Sequence, residues 1–341
     1  MNPFYFMTPA RIKRKKTFEF ASRHLFFADV LHAFQDYGLD LQFSMLGGVG
    51  AYQPFALSTE RLDTPQKQEQ FTNGFWSSAE RGDMRVYITL SSMHGGGRSA
   101  HDFIHEAMHV YQDMYGLYFV PLKEDGAPPL ILDANSDIVA ILFCEAWAQV
   151  QTIRICYTLK ERGFVKGWKG AQSHPDFSGL ARGYARDMER GVEENLAAAR
   201  CFKAWYMGAH REFYEGHALK IHKINFERLT QDVKNCRNED VNRNLRRLTY
   251  PKLLERLPEN EMTSFFKNVD WEDDVYRDIQ TPEVARGVSE INARYGAAEN
   301  TNIQDIKCGS PIYIWNRLRA REIETSEVPA ELYEMAQKFS S

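Results

Sequence analysis

The sequence predicts a mixed α+β fold, and three observations carry the prediction. Two stretches alternate apolar and polar residues with period two. In Leu39–Leu46, Leu41, Phe43 and Met45 oppose Asp40, Gln42 and Ser44; in Arg85–Leu90, Val86, Ile88 and Leu90 oppose Arg85, Tyr87 and Thr89. Such alternation marks a half-buried strand. Most of the remaining chain, above all from Gly163 onward, carries helical spacing and polar helix faces. Between the strands and the helical half stands His105-Glu106-Ala107-Met108-His109, in a stretch that itself reads as a helix.

Composition limits the classes. At 341 residues, 43% of them hydrophobic and 13% aromatic, the chain can build a sizeable core and does not read as disordered. A net charge of -4 gives no basic footprint for nucleic acid. Five cysteines, an odd number without a C-x-x-C pair, read as free thiols in a reducing compartment. The N-terminus lacks the pattern of a cleaved signal peptide, and the apolar run Ile138–Cys144 is too short to span a bilayer. A cytoplasmic protein is expected, with signal-independent export left open.

Taken in order, residues 1–16 form a basic tail containing Arg11, Lys13, Arg14, Lys15 and Lys16. Phe18–Tyr37 carries a helical apolar stripe and stops at Gly38. The two strands follow. His94-Gly95-Gly96-Gly97 resembles an oxyanion-hole run, but the G-x-S-x-G elbow it would need is missing. The glycines are read as a flexible entry to a helix from about Ala100 to Met114. That helix is capped at Ser99, buries Phe103, Ile104, Ala107, Met108, Val110 and Tyr111, and ends at Gly116.

After a Pro- and Gly-containing connection, Asp133, Asn135, Ser136 and Asp137 start a long apolar helix to about Glu161. Gly167, Gly170 and Pro175 suggest a linker. One long helix or two abutting ones are predicted over Asp187–Lys223, placing Tyr206, His210, Tyr214 and His217 on one face. Further helices are predicted over 240–258, 281–296 and 329–339. The resulting domain reading is a tail at 1–16, a catalytic lobe at 17–165 and a helical part at 166–341 that closes the cleft.

The H-E-x-x-H pattern carries the chemistry. Residues four apart on a helix point the same way, so His105 and His109 can offer two imidazole nitrogens to one metal ion, with Glu106 beside them. A third ligand must come from elsewhere, and Glu145 is the leading candidate. A lone carboxylate between Cys144 and Ala146 in so apolar a helix is costly to bury unless a cation compensates it. His210 or His217 are alternatives to Glu145, and Cys144 a more remote one. Against a ligand role, Glu145 can instead pair with an arginine such as Arg154. His101, one turn before His105, reads as a partly exposed neighbour, and His174 beside Pro175 as a linker residue.

This constellation resembles the zincin metallopeptidases, specifically the gluzincin branch whose third ligand is a glutamate. The resemblance covers about residues 39–150. It departs from the family pattern at Asp102, where Val or Thr is usual, and in lacking an Asn-Glu pair at Glu145. It implies a zincin-like lobe with a small sheet, in which Arg85–Leu90 is the edge strand that pairs with substrate. It further implies one zinc ion held by His105, His109 and Glu145, and Glu106 as general base. A downstream residue, Tyr214 or His210, would stabilise the oxyanion. The expected function is zinc-dependent hydrolysis of a peptide or protein. The runners-up are a non-catalytic metal-binding protein on the same scaffold and an effector-type protease with one target. Neither a nucleic-acid partner nor a membrane span is expected; the oligomeric state is left open.

Overall fold

The protein was analysed as a computed structural model, which describes residues 40–44, 51–56, 85–91, 96–117, 131–232, 245–246 and 250–295. The basic tail at 1–16 and the helices predicted over 18–37 and 329–339 lie outside the described residues. Two compact units divide the chain. One contains Met1–Met114, Gln151–Ala181 and Pro311–Ser341; the other contains Tyr115–Val150 and Arg182–Ser310.

In the first unit, strands β1 (Asp40–Ser44), β2 (Ala51–Ala56) and β3 (Arg85–Ser91) pair in the order β1-β3-β2. β1 runs parallel to β3, with Asp40 opposite Tyr87 and Ser44 opposite Ser91. β2 runs antiparallel to β3. β3 is therefore the central strand, paired on both sides. The expectation that Arg85–Leu90 forms a free edge for substrate is corrected: its main-chain donors and acceptors are already engaged.

Helix α1 (Gly96–Met114) contains the H-E-x-x-H residues. All six apolar residues predicted to be buried on it are buried. His101, Asp102, Glu106, His109, Gln112 and Asp113 are buried too, so α1 is enclosed nearly all round. The helix begins at Gly96, before the predicted cap at Ser99. Gly97 serves packing rather than flexibility. Helix α3 (Val165–Ser173) crosses α1 at backbone contact: a Cβ on Gly97 would lie 2.5 Å from the Lys166 carbonyl, and one on Gly170 would overlap the Gly97 carbonyl.

Helix α2 (Ala134–Glu161) runs without interruption through both units. Asp133 caps it, accepting the Ser136 N–H at 3.0 Å and the Ser136 hydroxyl at 2.8 Å. At its end Gly163 takes φ +88°, Gly163 N–H bonds the Lys160 carbonyl and Phe164 N–H the Leu159 carbonyl, a Schellman closure. By length and composition α2 could cross a membrane, yet 89% of its apolar window is buried inside the protein, as in a core helix.

The second unit is built from helices α4 (Ser178–Glu189), α5 (Glu194–Tyr206), α6 (His210–Asp232), α7 (Tyr250–Leu254), α8 (Asp274–Arg277) and α9 (Pro282–Tyr295). The first turn of α4 belongs to the other unit. A 3-10 turn at Ser264–Asn268 and a two-stranded parallel pair, β4 (Ile131–Leu132) with β5 (Leu245–Arg246), complete the unit. Its core is aromatic. Phe143 stacks on Phe266 at 5.2 Å and lies near Phe202 and Tyr250, and the Trp147 indole donates to the Met262 carbonyl at 3.2 Å. Arg211 and Glu215 form a buried ion pair at 2.7 Å on α6.

The predicted fold class, an α+β zincin-like lobe built on a sheet, is corrected by this architecture. Helices make up most of the described residues. The strands are short, and α1 finds its broadest support in helix α3 rather than in a sheet. Alternation in a sequence signals a local extended segment; it does not say whether such segments suffice to form a layer. Here the large buried side chains sit mostly on helices: Trp147, Trp205, Tyr206, Phe103, Phe143 and Phe202. The helix or abutting pair predicted over Asp187–Lys223 is resolved into the end of α4, α5 and the start of α6, with breaks around Gly191 and Gly208.

Candidate metal centre

One helical turn separates His105 from His109, and the two rings meet edge to face with centroids 4.8 Å apart. Their Nε2 atoms lie 3.2 Å from each other. The Nδ1 of His109 donates to the Gln112 side-chain oxygen at 2.8 Å. A carbonyl oxygen only accepts, so the proton sits on Nδ1 and the Nε2 lone pair faces His105. Two nitrogens bound to one tetrahedral zinc at about 2.0 Å would stand about 3.3 Å apart. The observed spacing fits that demand.

Glu145, the third nominated ligand, lies on α2. His105 and Glu145 are half-buried, while His109 is buried. These are two nitrogen donors and one carboxylate oxygen, a set suited to a divalent transition metal with a coordination position left open. Glu106, between the two histidines, is buried on the same helix.

The other nominated residues lie on α5 and α6. His210 and Tyr214 are half-buried on α6 and both meet the Trp205 ring, with centroids at 4.8 Å and 5.5 Å. His217 is exposed and stacks on Phe213. Tyr206 closes α5 instead of joining that face; it is buried, with its hydroxyl 3.3 Å from that of Tyr250. Burial and the neighbouring tyrosine push the Tyr206 hydroxyl well above its ordinary pKa.

A second cluster, His101, Asp102 and His174, brings its donor atoms within 4.8 Å of one another. His101 is 2% exposed and His174 8% exposed, which corrects both sequence readings of these residues. His101 Nδ1 donates to Asp102 Oδ1 at 3.2 Å. Burial holds the His101 imidazole below its ordinary pKa despite that carboxylate. His174 follows the last residue of α3, and its Nδ1 accepts the main-chain N–H of Asp176 at 3.2 Å and of Phe177 at 3.4 Å. Burial, with His101 and Arg98 nearby, lowers its pKa to about 3. The signal for His174 was present as a side-chain acceptor beside a proline just before a helix, a position where capping is expected.

The comparisons with known proteins speak to this region. Residues 80–222 match a family described as "Putative metallopeptidase family" (DUF6782). The matched segment contains α1, α2 and α3, and with them every residue of both clusters. It supports a metallopeptidase, hence a hydrolase and a bound metal, at that coarse level. No curated protein and no solved structure matches the chain.

Proposed function

We propose that the chain is a zinc-dependent peptidase whose ion is held by His105, His109 and Glu145. One observation carries the reading: two imidazole nitrogens 3.2 Å apart on α1, the spacing two ligands of one zinc ion adopt. The match to a metallopeptidase family over residues 80–222 supports it.

Zinc bound there supplies a Lewis acid that polarises a substrate carbonyl and lowers the pKa of water to about 7. The chain's own residues do the rest. Gln112 holds His109 in the tautomer that presents Nε2. Glu106, next to His105 on the helix, takes the proton from the attacking water and delivers it to the leaving amine. Burial of α1 shields this proton transfer from bulk solvent. The substrate is a peptide or protein.

The test is metal content by elemental analysis, paired with hydrolysis of a peptide library. Wild type and Glu106→Gln should each retain the ion, while Glu145→Ala and His109→Ala lose it. Only wild type should cleave. A wild-type protein that binds zinc through these residues yet cleaves nothing would instead support the non-catalytic metal-binding alternative.

A further inference from the structure

We propose that His101, Asp102 and His174 form a second metal site, taking a divalent transition metal that favours nitrogen donors. Its ligands are distinct from His105, His109 and Glu145, and it does not rest on the peptidase reading. Two imidazoles and a carboxylate converge within 4.8 Å, all of them buried. A carboxylate enclosed in this way calls for a compensating positive charge.

The cluster already draws one. The Arg98 guanidinium stands 4.0 Å from Asp102 Oδ2 and 3.4 Å from His174 Nε2. The contact to His174 is not a hydrogen bond. The Nδ1 of His174 accepts from two main-chain N–H groups, so the ring proton is on Nε2, and there a donor faces a donor. Arg98 is held in place by charge alone, and its side chain is 30% exposed. It can swing into solvent and yield its place to a metal ion.

To take up an ion, both rings must move a proton. His101 Nδ1 and Asp102 Oδ1 stand 3.2 Å apart, a spacing two ligands of one ion adopt, so with its proton moved to Nε2 His101 can ligate through Nδ1 beside the carboxylate. For His174 to ligate through Nε2, its proton must shift to Nδ1. There Asp176 Oδ2, 3.9 Å away, lies beyond hydrogen-bond reach and offers charge attraction alone. Loss of the two long main-chain contacts to Nδ1 makes this the weaker of the two sites.

The test uses the full chain, stripped of metal and titrated with zinc or cobalt by calorimetry, with elemental analysis at saturation. Wild type should bind two ions, and His174→Ala and Asp102→Asn one each. His109→Ala should retain the His174-dependent ion. Arg98→Met leaves all three donors in place and should tighten the second site; two ions in this variant with one in wild type would also support the site. A His174→Ala protein that binds as many ions as both wild type and Arg98→Met overturns the proposal, whatever the first site holds.

Discussion

The Nδ1 of His109 donates to the Oε1 of Gln112 at 2.8 Å, three residues along the same buried helix. The bond decides which nitrogen of His109 can face a metal. Gln112→Leu should therefore weaken zinc binding by about 10–100-fold, the usual effect of losing a partner behind a metal-bound histidine. Gln112→Glu, which keeps an acceptor and adds charge, should hold or tighten it. Competition against a chromophoric chelator measures both. Equal affinity in Gln112→Leu and wild type would mean that the bond orients nothing.

The contact between α1 and α3 leaves no room for a side chain at Gly170, whose Cβ would overlap the Gly97 carbonyl. Gly170→Ala must push two backbones apart and should cost at least about 1–3 kcal/mol, the usual range for overpacking. Gly183, within α4, has nothing within 4 Å of where its Cβ would sit. Gly183→Ala should stabilise by about 1 kcal/mol through helix propensity. Opposite shifts of the urea midpoint would establish the contrast; equal destabilisation by both substitutions would refute the packing argument.

These two regions also show what the sequence could reveal. The spacing of His105 and His109 and the isolation of Glu145 were readable because helical periodicity is local and a lone carboxylate in an apolar run is conspicuous. The Asp133 cap and the Gly116 stop were readable for the same reason. What failed was long-range. Gly97 looked like slack but is pressed against Lys166 across two helices. His174 looked like linker because only the crossing of α1 and α3 brings it to His101, with ring centroids 5.3 Å apart. Val86, Ile88 and Leu90 alternate as in an edge strand and as in a central one; pairing by β1 and β2 decides between them.

Arg211 and Glu215 are 3% and 0% exposed, and their pair holds the segment before α9 onto α6. Arg211 donates to the Val275 carbonyl at 2.6 Å and to that of Asp278; Glu215 accepts from Gln280 N–H at 3.0 Å and Thr281 N–H at 2.8 Å. Glu215→Ala strands a buried guanidinium and two main-chain donors, and should cost about 3–5 kcal/mol. Replacing both partners, as Arg211→Met with Glu215→Leu, should cost less than Glu215→Ala alone. Denaturant unfolding of the single and double variants checks the order, and a double variant weaker than the single would contradict it.

His174 should make the metal-free fold sensitive to acid. A histidine ordinarily titrates near about 6.5, whereas His174 in the folded protein does so at about 3. Between those values the unfolded chain carries a proton that the folded chain does not. Stability therefore rises with pH across that window and is lost as pH falls from 6.5 toward 3. His101, also lowered by burial, acts in the same direction. The urea midpoint of the chelator-treated protein should drop between pH 7 and pH 5. His174→Gln, which cannot take up a proton, should show a shallower drop. If the variant and wild type lose stability in parallel, the acid sensitivity belongs to other groups.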